Sequence, residues 1–287
     1  MTNRLLITDL DNTLYNFIDY FAPSFRGMVH ALAKNINIPE DELIQQFKKV
    51  FANHGSLEHG FAVQELSCVQ DKSYEEILGL IKIAKGAYSR VRQKNLEPYP
   101  NVKETLSWIS QQGIIVIGVS NAPYFHALRR LRQLQIEKYF SGLVAWEGVP
   151  FNIDKYSKEI IEKEISGVYK SKIKKVWKLP KDKLKPNTDG YLMVMKEFAV
   201  RNSDCYILGD SISKDVRPAE LIGAHGIWAR YGEAVVQKNL ETVLSISNWD
   251  SKKKETIYFE KHEEPERIIN DFSELKNILA ATQLTLF

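Results

Sequence analysis

Residues Leu5 to Tyr15 read LLITDLDNTLY. An apolar run with the length of a buried strand ends on two carboxylates one residue apart. Asp9 and Asp11 both fall at the strand's end or in the turn after it, where their charges repel. Something positive has to be delivered to that spot by the rest of the chain.

Unbroken apolar character in a short strand is expected when both faces of a parallel strand are covered. Four more segments of this kind follow: IIVIGVS (114–120), GLVAW (142–146), CYILG (205–209) and HGIWARYG (225–232). Helical patterns at 102–112, around 123–135, at about 188–201 and near 216–223 alternate with them. Strands alternating with helices predict an α/β fold, a Rossmann-like parallel sheet core with helices on both faces. Between about 17 and 94 the pattern is helical only. In EDELIQQFKKVF (40–51), Leu43, Phe47, Val50 and Phe51 share a face, with Pro39, Glu40 and Asp41 marking the start. In EEILGLIKIAKGAYSRV (75–91), Ile77, Leu80, Ile81, Ala84, Tyr88 and Val91 do the same. Pro98 and Pro100 in NLEPYPNV then punctuate the return.

The predicted organisation is a core of 1–16 and 96–287, a small all-helical domain of 17–95 inserted after the first strand, and a lysine-rich insertion in the core at 152–183. That insertion shows helical patches and no clear apolar strand. The tail from about 233 carries a charged stretch around Ser251 to Glu255 and closes on a helix, FSELKNILA, with Phe272, Leu275 and Ile278 able to dock.

Composition narrows the function classes. A chain of 287 residues, 44% apolar and 11% aromatic, is globular and long enough for a sizeable core plus a smaller domain. A net charge of +3 does not argue for nucleic acid, which is not expected as a partner, and is equally compatible with a phosphate-bearing substrate. Two cysteines, Cys68 and Cys205, give neither a disulfide framework nor a metal spacing, as in a reducing, cytoplasmic compartment. No apolar run reaches the length of a membrane span, and the N-terminus has no signal-peptide pattern.

In doubly wound sheets the chemistry sits at the carboxyl ends of the strands. The first strand delivers Asp9 and Asp11, the second Ser120 and Asn121, and the fourth, through GDSISKD, Asp210 and Asp215. Lys185, followed by Pro186, lies ahead of the helix that precedes the fourth strand. Lys181 and Lys183 are close by, and Pro186 favours Lys185. Clustered carboxylates, a hydroxyl, an amide and an ammonium suit a divalent cation and a phosphoryl group, and hard oxygen donors suit Mg²⁺.

The ordered set DLDNT, SN, KP and GDSISKD resembles the four signature motifs of the haloacid dehalogenase-like hydrolase superfamily. The helical insert after the first motif is similar to that superfamily's first-class cap domain, and PYPNV to its return from cap to core. The resemblance covers about residues 4–232. It implies a catalytic pair, with Asp9 the nucleophile that forms an aspartyl-phosphate and Asp11 the general acid and base. It implies phosphate binding by Ser120, Asn121 and Lys185. It implies a Mg²⁺ site of Asp9, the backbone carbonyl of Asp11, Asp210 and Asp215, with the direct ligand among the last two left open. An aspartate two residues after the nucleophile resembles the phosphatase and phosphomutase branches, not dehalogenases or pumping ATPases.

The expected activity is Mg²⁺-dependent hydrolysis of a small phosphorylated metabolite: a sugar phosphate, phosphoglycolate or a nucleoside monophosphate. The cap would close over the site and choose the leaving group. Two alternatives stand beside it. One is a phosphotransferase or phosphomutase using the same residues, and the other a non-catalytic binding or regulatory protein on this fold. Oligomeric state is not readable. His54 and His59, five residues apart, do not align on one helical face and are read as part of a solvated loop. His126 and His225 receive no role, the basic run SKIKKVWKLPKDKLK is read as a solvated face, and Cys205 as a small buried hydrophobe.

Overall fold

The structure, a computed structural model, describes residues 4–148, 171–247 and 264–284. It divides into two compact units. The first is built from Met1–Asn16, Glu97–Ala234 and Glu263–Phe287, and the second from Phe17–Leu96 with the stretch beginning at Val235.

The first unit is a seven-stranded parallel sheet: β1 (Leu5–Thr8), β2 (Ile115–Pro123), β3 (Gly142–Trp146), β4 (Lys175–Leu179), β5 (Cys205–Gly209), β6 (His225–Ala229) and β7 (Ile268–Ile269). Their order is β4-β3-β2-β1-β5-β6-β7, so β1 is central. It pairs with β2 (Leu5 opposite Ile115) and β5 (Leu5 opposite Cys205). Leu5, Leu6 and Ile7 are all fully buried, because helices cover both faces. One face packs Leu5, Ile7, Ile117, Val119 and Val144 against Tyr191, Val194 and Met195. The helices of this unit are α4 (Val102–Gln111), α5 (Tyr124–Gln133), α6 (Asp189–Glu197), α7 (Arg217–Leu221) and α9 (Leu275–Leu284). The closing helix docks as expected: Arg4 donates to the Leu279 carbonyl at 2.6 Å, and Phe272 and Leu275 are buried.

The lysine-rich insertion departs from expectation, since Lys175–Leu179 is a strand paired in parallel with β3. As the sheet's edge, β4 keeps Lys175 and Lys178 in solvent while Val176, Trp177 and Leu179 are half-buried. A lysine-laced edge guards against pairing with other chains, and it hides the strand from a search for apolar runs. Trp177 packs so close to Gly142 that a β-carbon there would lie 2.6 Å from its ring. The rest of that insertion, 152–170, and Ser251 to Glu255 lie outside the described residues. The two-residue β7 is too short to leave a sequence signal.

The second unit holds α1 (Phe17–Ile36), α2 (Glu40–His54), α3 (Tyr74–Asn95) and α8 (Gln237–Ile246). The α2 residues expected to share a face, Leu43, Phe47, Val50 and Phe51, are its buried residues. Aromatic contacts fill the interior, with Phe25 edge-on to Phe47 at 5.3 Å and Phe47 stacked near Phe51 at 5.7 Å. A reciprocal capping box starts α3: Ser73 Oγ accepts from the Glu76 amide, and Glu76 Oε2 accepts from the Ser73 amide at 2.8 Å.

Helix α8 joins this unit through polar contacts. Asp19 of α1 accepts from the Asn239 side chain at 2.8 Å and the Val236 amide at 3.1 Å. Arg26 donates to Asn239 Oδ1 at 2.8 Å. Replacing Asn239 with alanine leaves Asp19 and Arg26 without this shared partner. We expect the Asn239→Ala variant to lose about 1–3 kcal/mol in urea unfolding; an unchanged midpoint would show that the network contributes nothing net.

Candidate active site at the carboxyl ends of the strands

The central position of β1 sets the site. The Asp9 amide donates to the Leu208 carbonyl of β5 at 2.8 Å, so Asp9 leaves the sheet beside the end of β5. The chain then turns back on itself, with Asn12 at φ +57° and the Leu14 amide bonded to the Leu10 carbonyl at 2.9 Å. Asparagine tolerates that left-handed conformation better than most side chains.

Lys185 supplies the missing positive charge. Its Nζ donates to Asp9 Oδ1 and to Asp215 Oδ1, each at 2.7 Å. The ammonium is only 4% exposed and Asp215 only 1%, so both bonds form away from water. Burial opposes the charge on Lys185, but Asp215 and Asp9 outweigh it and hold the ammonium above the ordinary lysine range. Asn121 fixes the backbone that carries this lysine: its Nδ2 donates to the Lys185 carbonyl at 2.8 Å and its Oδ1 accepts from the Lys185 amide at 3.0 Å. Lys183 instead pairs with Asp189 on the surface, and Lys181 lies over the Trp146 ring.

Asp215 is held by the π-turn Ile212–Val216 after β5, its Oδ2 accepting from the Ser211 amide at 3.3 Å. Tyr191 donates to its Oδ1 at 3.2 Å, and burial raises the tyrosine's pKa so that it stays a donor. The turn needs Gly209, because a β-carbon there would sit 2.2 Å from the Asp215 carboxyl. Trp228 of β6 donates to the Asp210 carbonyl at 3.0 Å.

Burial raises Asp9 from 3.8 to about 7, against the opposing pull of Lys185, with Asp215 and Asp11 adding to the rise. Asp210 is also raised, first by burial and then by Asp9 and Asp215. Ligand oxygens of Asp9, Asp210 and Asp215 all lie within 4.8 Å of one another. One ammonium among these carboxylates leaves negative charge uncompensated, and an oxygen-only donor set fits a hard divalent cation.

Ser120, at the end of β2, donates to Asp11 Oδ2 at 3.5 Å, beside a register shift between Ser120 and Pro123. The structure thus brings Asp9, Asp11, Ser120, Lys185, Asp210 and Asp215 together, and turns Asn121 toward the lysine backbone.

Two participants were not foreseen. Arg130 of α5 is buried and donates to Asp11 Oδ2 at 3.4 Å, its guanidinium 5.7 Å from the Tyr15 ring centre. Tyr191 is the other. The signal for Arg130 was present, since it falls in phase with Ala127, Leu131 and Leu134 on the buried face of a basic helix. A charge in the apolar stripe must have a partner inside.

The family model described as haloacid dehalogenase-like hydrolase matches residues 4–223. A phosphoglycolate phosphatase of Pseudomonas fluorescens is 24% identical over 80% of this chain and 70% of its own length. A glyceraldehyde 3-phosphate phosphatase of Methanocaldococcus jannaschii is 22% identical over 76% of this chain and 81% of its own. Among solved structures, a HAD hydrolase of Bacillus subtilis bound to magnesium superposes with a TM-score of 0.52 at 17% identity, covering 98% of this chain and 100% of that one. No helix among the described residues is long and apolar enough to cross a membrane.

Removing the ammonium leaves Asp9 and Asp215 buried without it. In metal-free protein at pH 8 we expect Lys185→Met to cost about 3–5 kcal/mol in urea unfolding. The cost should shrink at pH 5, where Asp9 takes up a proton instead. A variant as stable as the parent at both pH values would remove the lysine from its central role.

Proposed function

The chain belongs to the haloacid dehalogenase-like hydrolase family, and we propose that it is a Mg²⁺-dependent phosphomonoesterase acting through an aspartyl-phosphate on Asp9. The observation that carries this reading is the buried Lys185 ammonium shared by Asp9 and Asp215, with Asp11 and Asp210 alongside.

The reaction follows from the residues. An oxygen of the ionised Asp9 attacks phosphorus, and the ester P–O bond breaks as Asp11 gives its proton to the leaving alkoxide. Water then attacks the acyl-phosphate and passes a proton to Asp11. The bond between phosphorus and Asp9 breaks, and inorganic phosphate leaves. Ser120 donates to a phosphoryl oxygen, and Lys185 offsets charge on the nucleophile and the phosphoryl group. Asn121 contributes by fixing Lys185, and Arg130 by fixing Asp11. Asp9, the backbone carbonyl of Asp11, Asp210 and Asp215 would hold the cation. Mg²⁺, when bound, supplies the positive charge that keeps the buried carboxylates ionised and withdraws charge from the phosphoryl oxygens.

The substrate is a small phosphorylated metabolite, in keeping with the two phosphatases this chain resembles. Sugar phosphates, phosphoglycolate and nucleoside monophosphates are the classes to test. We assign substrate choice to the helical unit and the 152–183 segment, because the strand-end residues serve the phosphoryl group common to all such substrates. Cys68 and Cys205 are free thiols, and burial pushes Cys205 up to about 12, as suits an inert thiol in a cytoplasmic protein.

Phosphate release from a panel of metabolite phosphates tests the reading. Release should require Mg²⁺, stop with EDTA and fall by at least about 10⁴-fold in Asp9→Asn. Turnover only when an acceptor alcohol is supplied would make the enzyme a phosphotransferase, and no turnover at all would point to a binding protein.

The raised Asp9 carboxyl adds a second test. With a folded pKa of about 7 against 3.8, the metal-free protein binds more protons than the unfolded chain between those values. This group's contribution to stability therefore falls as pH rises through that window. Mg²⁺ binding at pH 6 should release about one proton or more per ion, measured by calorimetry in buffers of different ionisation enthalpy. Binding heats independent of the buffer would show that Asp9 is already ionised.

A further inference from the structure

The described residues hold one other group of potential metal ligands with atoms all within 4.8 Å of one another: His54, His59 and Glu65, within the helical unit. His54 closes α2, and Gly55 caps that helix in the left-handed conformation at φ +59°. The chain thereby reverses and brings His59 back, so that the two imidazoles stack with ring centres 3.7 Å apart. Glu65 ends the short 3₁₀ turn Ala62–Glu65 and faces both rings. His54 Nε2 lies 2.6 Å from Glu65 Oε2, and His59 Nε2 lies 3.0 Å from Glu65 Oε1. Spacing alone puts these histidines in a solvated loop, but the His59 side chain is 3% exposed and that of Glu65 14%. Sequence spacing misled because the partners meet across a turn and not along one helical face.

We propose that His54, His59 and Glu65 form a binding site for a divalent transition-metal ion of the Zn²⁺ class. Two imidazole nitrogens and one carboxylate, all presented by the same short stretch of chain, are a donor set with borderline softness, unlike the all-oxygen aspartate cluster. Mg²⁺ is a poor match for imidazole, so the two clusters select different ions. The spacing is close to what is needed. Ligands about 2.0–2.1 Å from a tetrahedral ion stand about 3.4 Å apart, so the imidazole–carboxylate separations of 2.6 and 3.0 Å have to open by less than about 1 Å, and the stacked rings have to turn so that both face the ion. His54 is 23% exposed and gives the ion its route in, while His59 is buried. Three protein ligands leave a fourth position for water or an outside group. The ion would clip the end of α2 to the turn that carries Glu65. This site stands independently of the phosphatase reading, since none of its residues takes part in that chemistry.

The test uses the full-length protein, stripped of metal and kept in excess Mg²⁺ so that the aspartates are served. Co²⁺ and Zn²⁺ are the probes. We expect one equivalent of Co²⁺ to bind with the visible absorption of a nitrogen-ligated, low-coordinate site, and Zn²⁺ to displace it and raise the melting temperature. Asp9→Asn should retain this binding. His54→Gln and Glu65→Gln should each weaken it by at least about 100-fold. X-ray absorption of the Zn²⁺-loaded parent protein should show imidazole scattering, which keeps the question decidable if a variant fails to fold. An oxygen-only shell, no Co²⁺ bound in the presence of Mg²⁺, or unchanged affinity in both folded variants would overturn the proposal.

Discussion

One ammonium shared by two buried carboxylates organises the catalytic unit. Lys185 bonded to Asp9 and Asp215 is an arrangement that water would weaken and that burial makes costly to break. It forces several other choices. The β1–β5 register has to bring Asp9 beside the end of β5. Position 209 has to be glycine so that the following turn can fold Asp215 back over it. The lysine's own backbone has to be pinned, and Asn121 does so with both of its polar atoms. None of these residues is remarkable in isolation; each follows from the need to hold one positive charge in place.

Much of this was readable in the sequence, for identifiable reasons. A central parallel strand is buried on both faces, so β1, β2 and β5 announce themselves as apolar runs. Their last residues open the loops that carry the chemistry, so Asp9, Asp11, Ser120 and Asp210 could be found from strand ends alone. Edge elements gave no such signal. β4 alternates lysines with half-buried side chains because one of its flanks is solvated, and β7 is two residues long. Helix α8 escaped because its attachment to α1 runs through Asp19, Asn239 and Arg26, a polar network that hydrophobic periodicity cannot detect.

Side-chain partnerships were the least legible layer. Arg130 lies in a helix that reads as basic and amphipathic, and only its phase with Ala127 and Leu131 hints that one arginine turns inward. Asn121 sits where a phosphate-binding amide is expected, yet its side chain faces the Lys185 backbone, a distinction that depends on the path of a loop more than 60 residues later in the chain. His54 and His59 were separated by a spacing rule that holds along a helix and lapses at a left-handed cap. In all three cases the side chain's partner lies outside the local pattern that was read.

The aspartate cluster is left short of positive charge, and on the proposed reading that shortage is what draws a divalent cation to it. Had a second lysine neutralised Asp210, the carboxylates would be satisfied and more stable, and a divalent cation would gain little by binding. With a single ammonium, burial instead drives Asp9 and Asp210 toward their protonated forms. In the proposed reaction only the ionised form of Asp9 attacks, so burial without a cation works against the nucleophile. On the proposed reading, cation binding favours ionisation of Asp9, because a carboxylate that gives up its proton gains a positive partner. The electrostatic deficit costs stability in the metal-free protein and makes the readiness of Asp9 depend on the ion.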